Sequence, residues 1–304
     1  MNTDVSNTLV VVPTYNGLHD LERLVDSLPH DEINLYVIDS SSTDGTDSYL
    51  FDTGIDHCII SQREFNHGAT RQKAIHDRPG YRYYIFLTQD AYLAHPTAIA
   101  RLLAPFADPK VGAVCGRQLP HQNANLLASH ARYFNYPEIS QIKSITDASQ
   151  LGIKVAFLSN SFAAYRASAL EEVGGFPSHV ILAEDMYVAA KMLQQKWKIA
   201  YASDACCHHS HDYTTWQELS RYFDIGVFHA EEPWIRKDFG GAGGEGRRYV
   251  HSELRYLGWQ RCYLWPVSLL ANAGKLTGYK LGQQYKRLPK RMCQYLSMHK
   301  AYWR

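Results

Sequence analysis

The chain reads as an α/β protein on a doubly wound, mostly parallel sheet, followed by a helical C-terminal extension. Three observations carry this reading. Short apolar runs alternate with amphipathic helical stretches through residue 114, the rhythm of β-α-β units. Two of these runs, residues 35–38 and 83–88, are bounded by turn residues and lead to single acids, Asp39 and Asp90. A third acidic position, Glu184-Asp185, follows Val180-Ile181-Leu182-Ala183. Ligands of open α/β sheets gather at the carboxyl ends of the strands, so at least two of these carboxylates should meet in one cleft. Such a cleft suits a divalent metal, a polyphosphate and a general base.

Taken in order, residues 9–12 form a strand stopped by Pro13. The loop Thr14-Tyr15-Asn16-Gly17 leads into a helix with Leu21, Leu24, Val25 and Leu28 on one face. Strand 35–38 and a Ser/Thr/Asp/Gly loop, residues 40–46, come next, and such a loop can cap a helix N-terminus. A short helix, an edge strand at 58–60 and a helix at 68–75 follow, then strands at 83–88 and 111–114. Regularity fades from 120 to 153. A further strand starts at Val155-Ala156-Phe157-Leu158, a short helix covers 167–173 before Gly174-Gly175, and an amphipathic helix covers 184–197. Five glycines between 238 and 246 read as a mobile loop. The remainder reads as helices interrupted at Pro266 and Pro289.

The 304 residues suffice for one large α/β domain with an appendage, and 45 % hydrophobic content supports a sizeable core. Charge is unevenly placed. Residues 254–304 hold ten of the 31 Lys and Arg and none of the 30 Asp and Glu. A basic, aromatic-rich tail on an acidic body points to an anionic surface, membrane lipid or nucleic acid, and no nucleic-acid motif accompanies it. The six cysteines match no zinc motif, and free thiols in a reducing compartment are the expectation. Residues 1–8 are polar and no run reaches the roughly 20 apolar residues of a membrane span. A soluble or peripheral protein on the cytoplasmic side is expected.

Pro13-Thr14-Tyr15-Asn16 after the first strand, and Asp39-Ser40-Ser41-Ser42-Thr43-Asp44-Gly45-Thr46 after the second, resemble the paired motifs of glycosyltransferase family 2. The resemblance covers about residues 8–230. It implies the GT-A fold, a nucleotide-sugar donor and a divalent cation, Mg²⁺ or Mn²⁺. On the donor side it implies Pro13, Thr14, Tyr15, Asn16 and Asp39 around the base and ribose, with Arg71 near the nucleotide. Thr88-Gln89-Asp90 occupies the family's Asp-x-Asp position with Thr88 replacing the first acid; Asp90 matches the metal-binding acid. One carboxylate with a diphosphate is adequate for such an ion. His209 and His211, in His208-His209-Ser210-His211, either complete the metal shell or serve structure. Glu184-Asp185 matches the family's acidic pair, with Asp185 as catalytic base, kept anionic by the helix N-terminus. The resemblance places Asn160, Gly175, Phe176 and Glu184 on the acceptor side. The glycine-rich loop, followed by Arg247-Arg248, could close over the donor diphosphate.

A narrower resemblance lies in Gln89-Asp90-Ala91, Phe134-Asn135-Tyr136-Pro137, Leu158-Ser159-Asn160-Ser161 and His209-Ser210-His211-Asp212-Tyr213-Thr214. These are similar to bacterial rhamnosyltransferases that use dTDP-L-rhamnose in surface polysaccharide synthesis. They imply single-residue, inverting transfer to a lipid-linked saccharide on the cytoplasmic face of the inner membrane, with an anionic membrane surface and no nucleic acid as partner. The implied division is a catalytic domain over 1–235 and a glycine-rich loop with a basic helical tail over 236–304. A sugar-phosphate nucleotidyltransferase would instead carry a basic glycine-rich loop after its first strand, and no Lys or Arg precedes Arg23. A non-catalytic membrane-binding protein would leave the convergent acids without a purpose. A dinucleotide-binding dehydrogenase would show G-x-G-x-x-G there, which is absent.

Overall fold

The computed structural model describes residues 5–29, 33–241 and 244–303. Within them one nine-stranded sheet runs in the order β3-β2-β1-β4-β8-β6-β9-β5, with β7 paired to β9. The parallel half follows the sequence reading closely: β1 (Thr8–Thr14), helix α1 (Leu18–Ser27), β2 (Asn34–Asp39), α2 (Thr46–Asp52), β3 (Asp56–Ile59), α3 (His67–Asp77) and β4 (Tyr83–Leu87). β1 pairs in parallel with β2 and β4, and β2 with the edge strand β3. β4 is buried along its whole length. Pro13 does not stop β1. Pairing with β4 ends at Val11, so no ladder bond on that side needs the missing N–H, while pairing with β2 continues to Thr14–Asp39.

The second half is mixed. β5 (Tyr92–Leu93), α4 (Ala98–Leu103), β6 (Val111–Leu119), α5 (Leu126–Asn135) and β7 (Gln141–Lys143) lead through the short α6 (Ala148–Leu151) to β8 (Phe162–Arg166). β8 runs antiparallel between β4 and β6, whereas β6 pairs in parallel with β9 (Lys198–His208). The strand expected from Val155 is a 3₁₀ helix over Gly152–Ala156. A four-residue apolar run marks burial, and burial alone does not separate strand from helix; the true strand starts at Phe162, beyond the polar Ser159-Asn160-Ser161. Helix α7 (Ala167–Glu172) precedes α8 (Glu184–Gln194), which stops before residue 197 because Lys196 adopts φ 68° on the way into β9.

Helices α9 (Thr215–Glu231), α10 (Pro233–Phe239), α11 (Glu245–Leu257), α12 (Trp265–Gln283) and α13 (Lys290–Leu296) complete the fold. Pro266 and Pro289 stand at helix starts, where a missing N–H costs nothing. Part of the glycine-rich loop, Ala242-Gly243, lies outside the described residues, as do Met1–Asp4 and Arg304. Gly240 and Gly244 on either side have φ 83° and 80°. The six cysteines are free, with Cys115, Cys207 and Cys293 buried. No described helix is long and apolar enough to cross a membrane.

The tail is held to the sheet by backbone contact between α9 and α12. A Cβ on Gly278 would stand 2.1 Å from the Leu219 carbonyl, and one on Gly282 2.0 Å from that of Phe223. The chain end packs on the same helix. The Asp224 carboxylate accepts from the Met298 and His299 N–H groups at 2.9 and 3.1 Å, and Trp303 is buried beside Phe223. Gly278→Ala should lower the unfolding free energy by about 1–3 kcal/mol through overpacking. Gly274→Ala, whose Cβ would meet its nearest atoms at 3.4 Å, should be neutral or stabilising because alanine is the better helix former. Denaturant unfolding of the two variants checks the contrast; equal effects would remove the close-contact account.

Candidate active site

The carboxyl ends of β1, β2 and β4 open on a cavity of about 390 Å³. The loops that follow β1 and β2 are latched to each other. The Asn16 N–H donates to Ser42 Oγ at 2.8 Å, and Asn16 Oδ1 accepts from the Thr43 N–H at 2.8 Å. The Leu18 N–H donates to Asp44 Oδ2, and the Thr46 hydroxyl to Asp44 Oδ1. Asn16 and Ser41 take positive φ, 45° and 58°, a cost that recurs at functional loops. Asp39 is fully buried and accepts from the N–H and hydroxyl of Ser42. In this structure it organises the loop, while the neighbouring Ser40 lines the cavity.

Pro13, Thr14 and Tyr15 form one wall and Thr88 and Gln89 another. Gln89 Oε1 accepts from the Thr14 hydroxyl and the Tyr15 N–H, both at 2.8 Å. The Gln62 amide donates to the Tyr15 hydroxyl and fixes the half-exposed ring. A Cβ on Gly17 would stand 2.1 Å from the Gln89 amide nitrogen, so a larger residue here would displace the Gln89 side chain. Two polar atoms of the lining, Thr88 Oγ1 and Arg71 Nε, are buried. Neither atom has a hydrogen-bond partner among the described residues.

Arg71 also reaches past the cavity. Its guanidinium bonds the His67 carbonyl at 2.8 Å and pairs with Glu184 at 3.0 Å, both side chains being nearly inaccessible. Asn160 clamps both acids: its side chain donates to Glu184 Oε1 at 2.8 Å and its N–H to Asp185 Oδ2 at 3.1 Å. The Tyr165 hydroxyl holds Asn160 in turn. Burial alone would raise Glu184; the Arg71 guanidinium outweighs it and, with His67 and the Asn160 amide, holds the carboxyl below its ordinary range. Asp185 moves the other way. Burial, then the charge on Glu184, push it up to about 7 despite N–H bonds from Asn160 and Met186. The expectation that the helix N-terminus keeps it firmly anionic is therefore corrected: desolvation and the adjacent carboxylate outweigh the helix end. Ala183, at φ 61°, turns the chain into α8 just before this pair.

The residues expected on the acceptor side are internal. Asn160 and Glu184 are buried in the clamp just described. Phe176 packs edge-on against Phe86 and Tyr165 and donates its N–H to Gln72 Oε1. Gly175, at φ 73°, leaves room for that same Gln72 side chain. Arg247 and Arg248 stand on the first turn of α11, not in a loop, and line neither cavity of the site; Arg248 pairs with Glu245 at 2.6 Å.

Asp90, His209 and His211 come together just beyond β4 and β9. His209 Nε2 and His211 Nδ1 lie 3.5 and 3.6 Å from Asp90 Oδ2, and the three ligand atoms fall within 4.8 Å of one another. Gln118, at the end of β6, determines how His209 presents itself. Gln118 Oε1 accepts from Arg132 at 2.6 Å and from His209 Nδ1 at 2.9 Å. Arginine only donates, so the shared atom is the amide oxygen and His209 carries its proton on Nδ1. Its Nε2 lone pair then faces Asp90, the arrangement metal-bound histidines adopt. Burial pushes His209 well below, and His211 below, the ordinary imidazole value, so both are neutral donors. The mixed carboxylate–imidazole set suits a divalent cation. β6 runs five residues beyond the strand expected at 111–114, and Gln118 lies in that extension; a polar residue closing an apolar strand is its signal in the sequence.

The family model "Glycosyl transferase family 2" matches residues 9–174. The O-antigen chain rhamnosyltransferases WbaN of Salmonella anatum and RfbN of Salmonella typhimurium are each 49 % identical over 298 residues, covering 97 % of this chain and 95 % of theirs. Among solved structures, the mannosyltransferase PcManGT from Pyrobaculum calidifontis, in complex with GDP-Man and Mn²⁺, superposes with a TM-score of 0.55 at 20 % identity, covering 98 % of this chain and 84 % of that one; that likeness bears on the fold, which is GT-A. With a matching family model over more than half its length and close relatives over nearly all of it, the chain belongs to glycosyltransferase family 2 and is a glycosyltransferase.

Proposed function

We propose that the protein transfers L-rhamnose, with inversion, from dTDP-L-rhamnose to a lipid-linked saccharide during O-antigen synthesis. The observation that carries the chemistry is the juxtaposition of the Asp90–His209–His211 set with a cavity whose Thr88 and Arg71 hold unpartnered polar atoms. The 49 % identity to two O-antigen chain rhamnosyltransferases supports the choice of sugar and process. The nucleoside fits against Tyr15, with Arg71 Nε and the Thr88 hydroxyl as partners. Asp90, His209 and His211 would hold Mn²⁺ or Mg²⁺, which supplies charge to offset the leaving diphosphate.

Asp185 takes the proton of the acceptor hydroxyl as that oxygen attacks the sugar C1 from the face opposite the leaving group. The C1–O bond to the diphosphate breaks and its electron pair departs with the phosphate oxygen. A carboxyl near 7 is matched to this task, since a base works best with a pKa near the working pH. Glu184 cannot share the role while Arg71 holds it ionised and enclosed.

The same reading assigns residues 236–304 a second task, attachment to an anionic membrane. Trp259, Tyr263, Leu269, Leu270 and Leu276 are exposed along the segment from 259 through α12, beside the acid-free run of positive charge. Interfacial aromatics and basic residues both favour such a surface.

Asp185→Asn should lower kcat by roughly 10²–10⁴-fold while dTDP affinity, read by calorimetry, stays within twofold of about the wild-type value. Because Asp185 is raised, its base form is depleted below pH 7, so kcat/KM should climb with pH up to about 7 and then level; a flat profile between pH 5.5 and 8 would remove Asp185 as the titrating base. Chelation should stop transfer and Mn²⁺ or Mg²⁺ restore it. Gln118→Leu should weaken the metal by about 10–100-fold, measured as the cation concentration giving half-maximal rate; an unchanged value would show that Gln118 does not orient His209. In liposome sedimentation, the protein should pellet with anionic vesicles at low salt and be released as salt rises. Equal pelleting with neutral vesicles would contradict electrostatic attachment.

A further inference from the structure

A second cavity, of about 340 Å³, opens beyond His209 and His211 on the side away from the nucleoside pocket. It is walled by α5, α9, α11 and α12, and Ser159 and Ser161, which flank the clamp residue Asn160, also line it. Its chemistry is that of a site awaiting a ligand. Arg221, from α9, faces it and makes no hydrogen bond or ion pair among the described residues. Of the acids lining the cavity, Glu218 pairs with Lys275 of α12 at 3.2 Å and Glu253 accepts from Ser268 and Asn272. Glu218 Oε2 and Arg132 Nε are buried without partners. Tyr213 and Tyr222 line the same cavity.

An unpaired, largely enclosed arginine calls for an oxyanion, because its planar fork matches phosphate and carboxylate. Unpartnered donors and acceptors beside tyrosine rings call for a hydroxylated ring that satisfies the former and stacks on the latter. A sugar carrying a phosphate group answers both. The cavity's far wall argues for the carrier end of the acceptor: α12 lends Lys275 to the interior and shows Leu269, Leu270 and Leu276 to the outside.

We propose that this cavity receives the acceptor sugar, and that Arg221 binds an oxyanion of the phosphate group through which that sugar is linked to its lipid. The proposal rests on the glycosyl-transfer reading above. The same oxyanion chemistry could come from the donor's diphosphate, so the test separates the two sources. Full-length protein saturated with dTDP and Mn²⁺ is titrated calorimetrically with glucose 1-phosphate and, separately, with glucose. Wild type should bind the phosphate ester at least about tenfold more tightly than glucose, and inorganic phosphate should displace it. Arg221→Gln should erase the preference, Arg221→Lys should keep part of it, and the dTDP affinity of both should equal wild type. Weaker dTDP binding in Arg221→Gln would assign the guanidinium to the donor and overturn the proposal. Equal binding of glucose 1-phosphate and glucose by wild type, or no displacement by inorganic phosphate, would overturn it without any variant. The readout is binding, so a failure to transfer rhamnose would count against the glycosyl-transfer reading and leave this result standing.

Discussion

The buried ion pair between Arg71 and Glu184 joins the two chemical halves of this molecule. Arg71 rises from α3 into the cavity at the ends of β1, β2 and β4, and Glu184 opens α8 beside Asp185. Both are almost wholly removed from water, so each is tolerable only with the other; breaking such a pair from one side typically costs about 3–5 kcal/mol. Burial, and then the charge on ionised Glu184 next to it, make Asp185 costly to ionise and push its carboxyl up to about 7. The pair thus ties the lining of the cavity at the ends of β1, β2 and β4 to the carboxyl of Asp185. Gly68 lets α3 come close enough for this: a Cβ there would stand 1.8 Å from the Pro177 carbonyl.

A second relay runs through Gln118. One amide ties His209, Arg132 and, through Nε2, the Ser159 hydroxyl at 2.9 Å. It connects the end of β6 with the histidine pair, with α5 and with the loop before β8 that carries Asn160. His121 adds to this by meeting the Asp90 carbonyl at 3.0 Å through its ring and Ser210 through its N–H. The candidate metal ligands are therefore held by a polar network whose members come from five separate stretches of chain. Such networks matter most when every member is satisfied, and the open valences left here lie along the cavities.

The parallel half of the fold was legible in sequence because its strands are short, apolar and bounded by turn residues, and because Asp39 and Asp90 stand where such strands end. Burial without periodicity misled the reading at Val155, where a buried 3₁₀ turn carries the same composition as a strand. The protonation of Asp185 was misjudged for a related reason. A helix N-terminus is visible in sequence, whereas desolvation and the Glu184 charge depend on Asn160 and Arg71, brought from 24 or more positions away. Gln118, Arg132 and Arg221 were illegible as site residues because each gains its meaning from a partner or a cavity that only the tertiary structure makes. The acceptor-side expectations for Gly175 and Phe176 transferred a family pattern onto residues that this chain uses to seat α3 on the core.

The central claim is that Asp90, His209 and His211 act as one metal site beside the nucleotide cavity. Histidine NMR with added Mn²⁺ tests it most directly, because a paramagnetic ion broadens nearby ring protons. With dTDP present, substoichiometric Mn²⁺ should broaden the His209 and His211 resonances first and leave those of surface His19 and His251 sharp. Broadening confined to surface histidines, or unchanged in Asp90→Ala, would contradict the account.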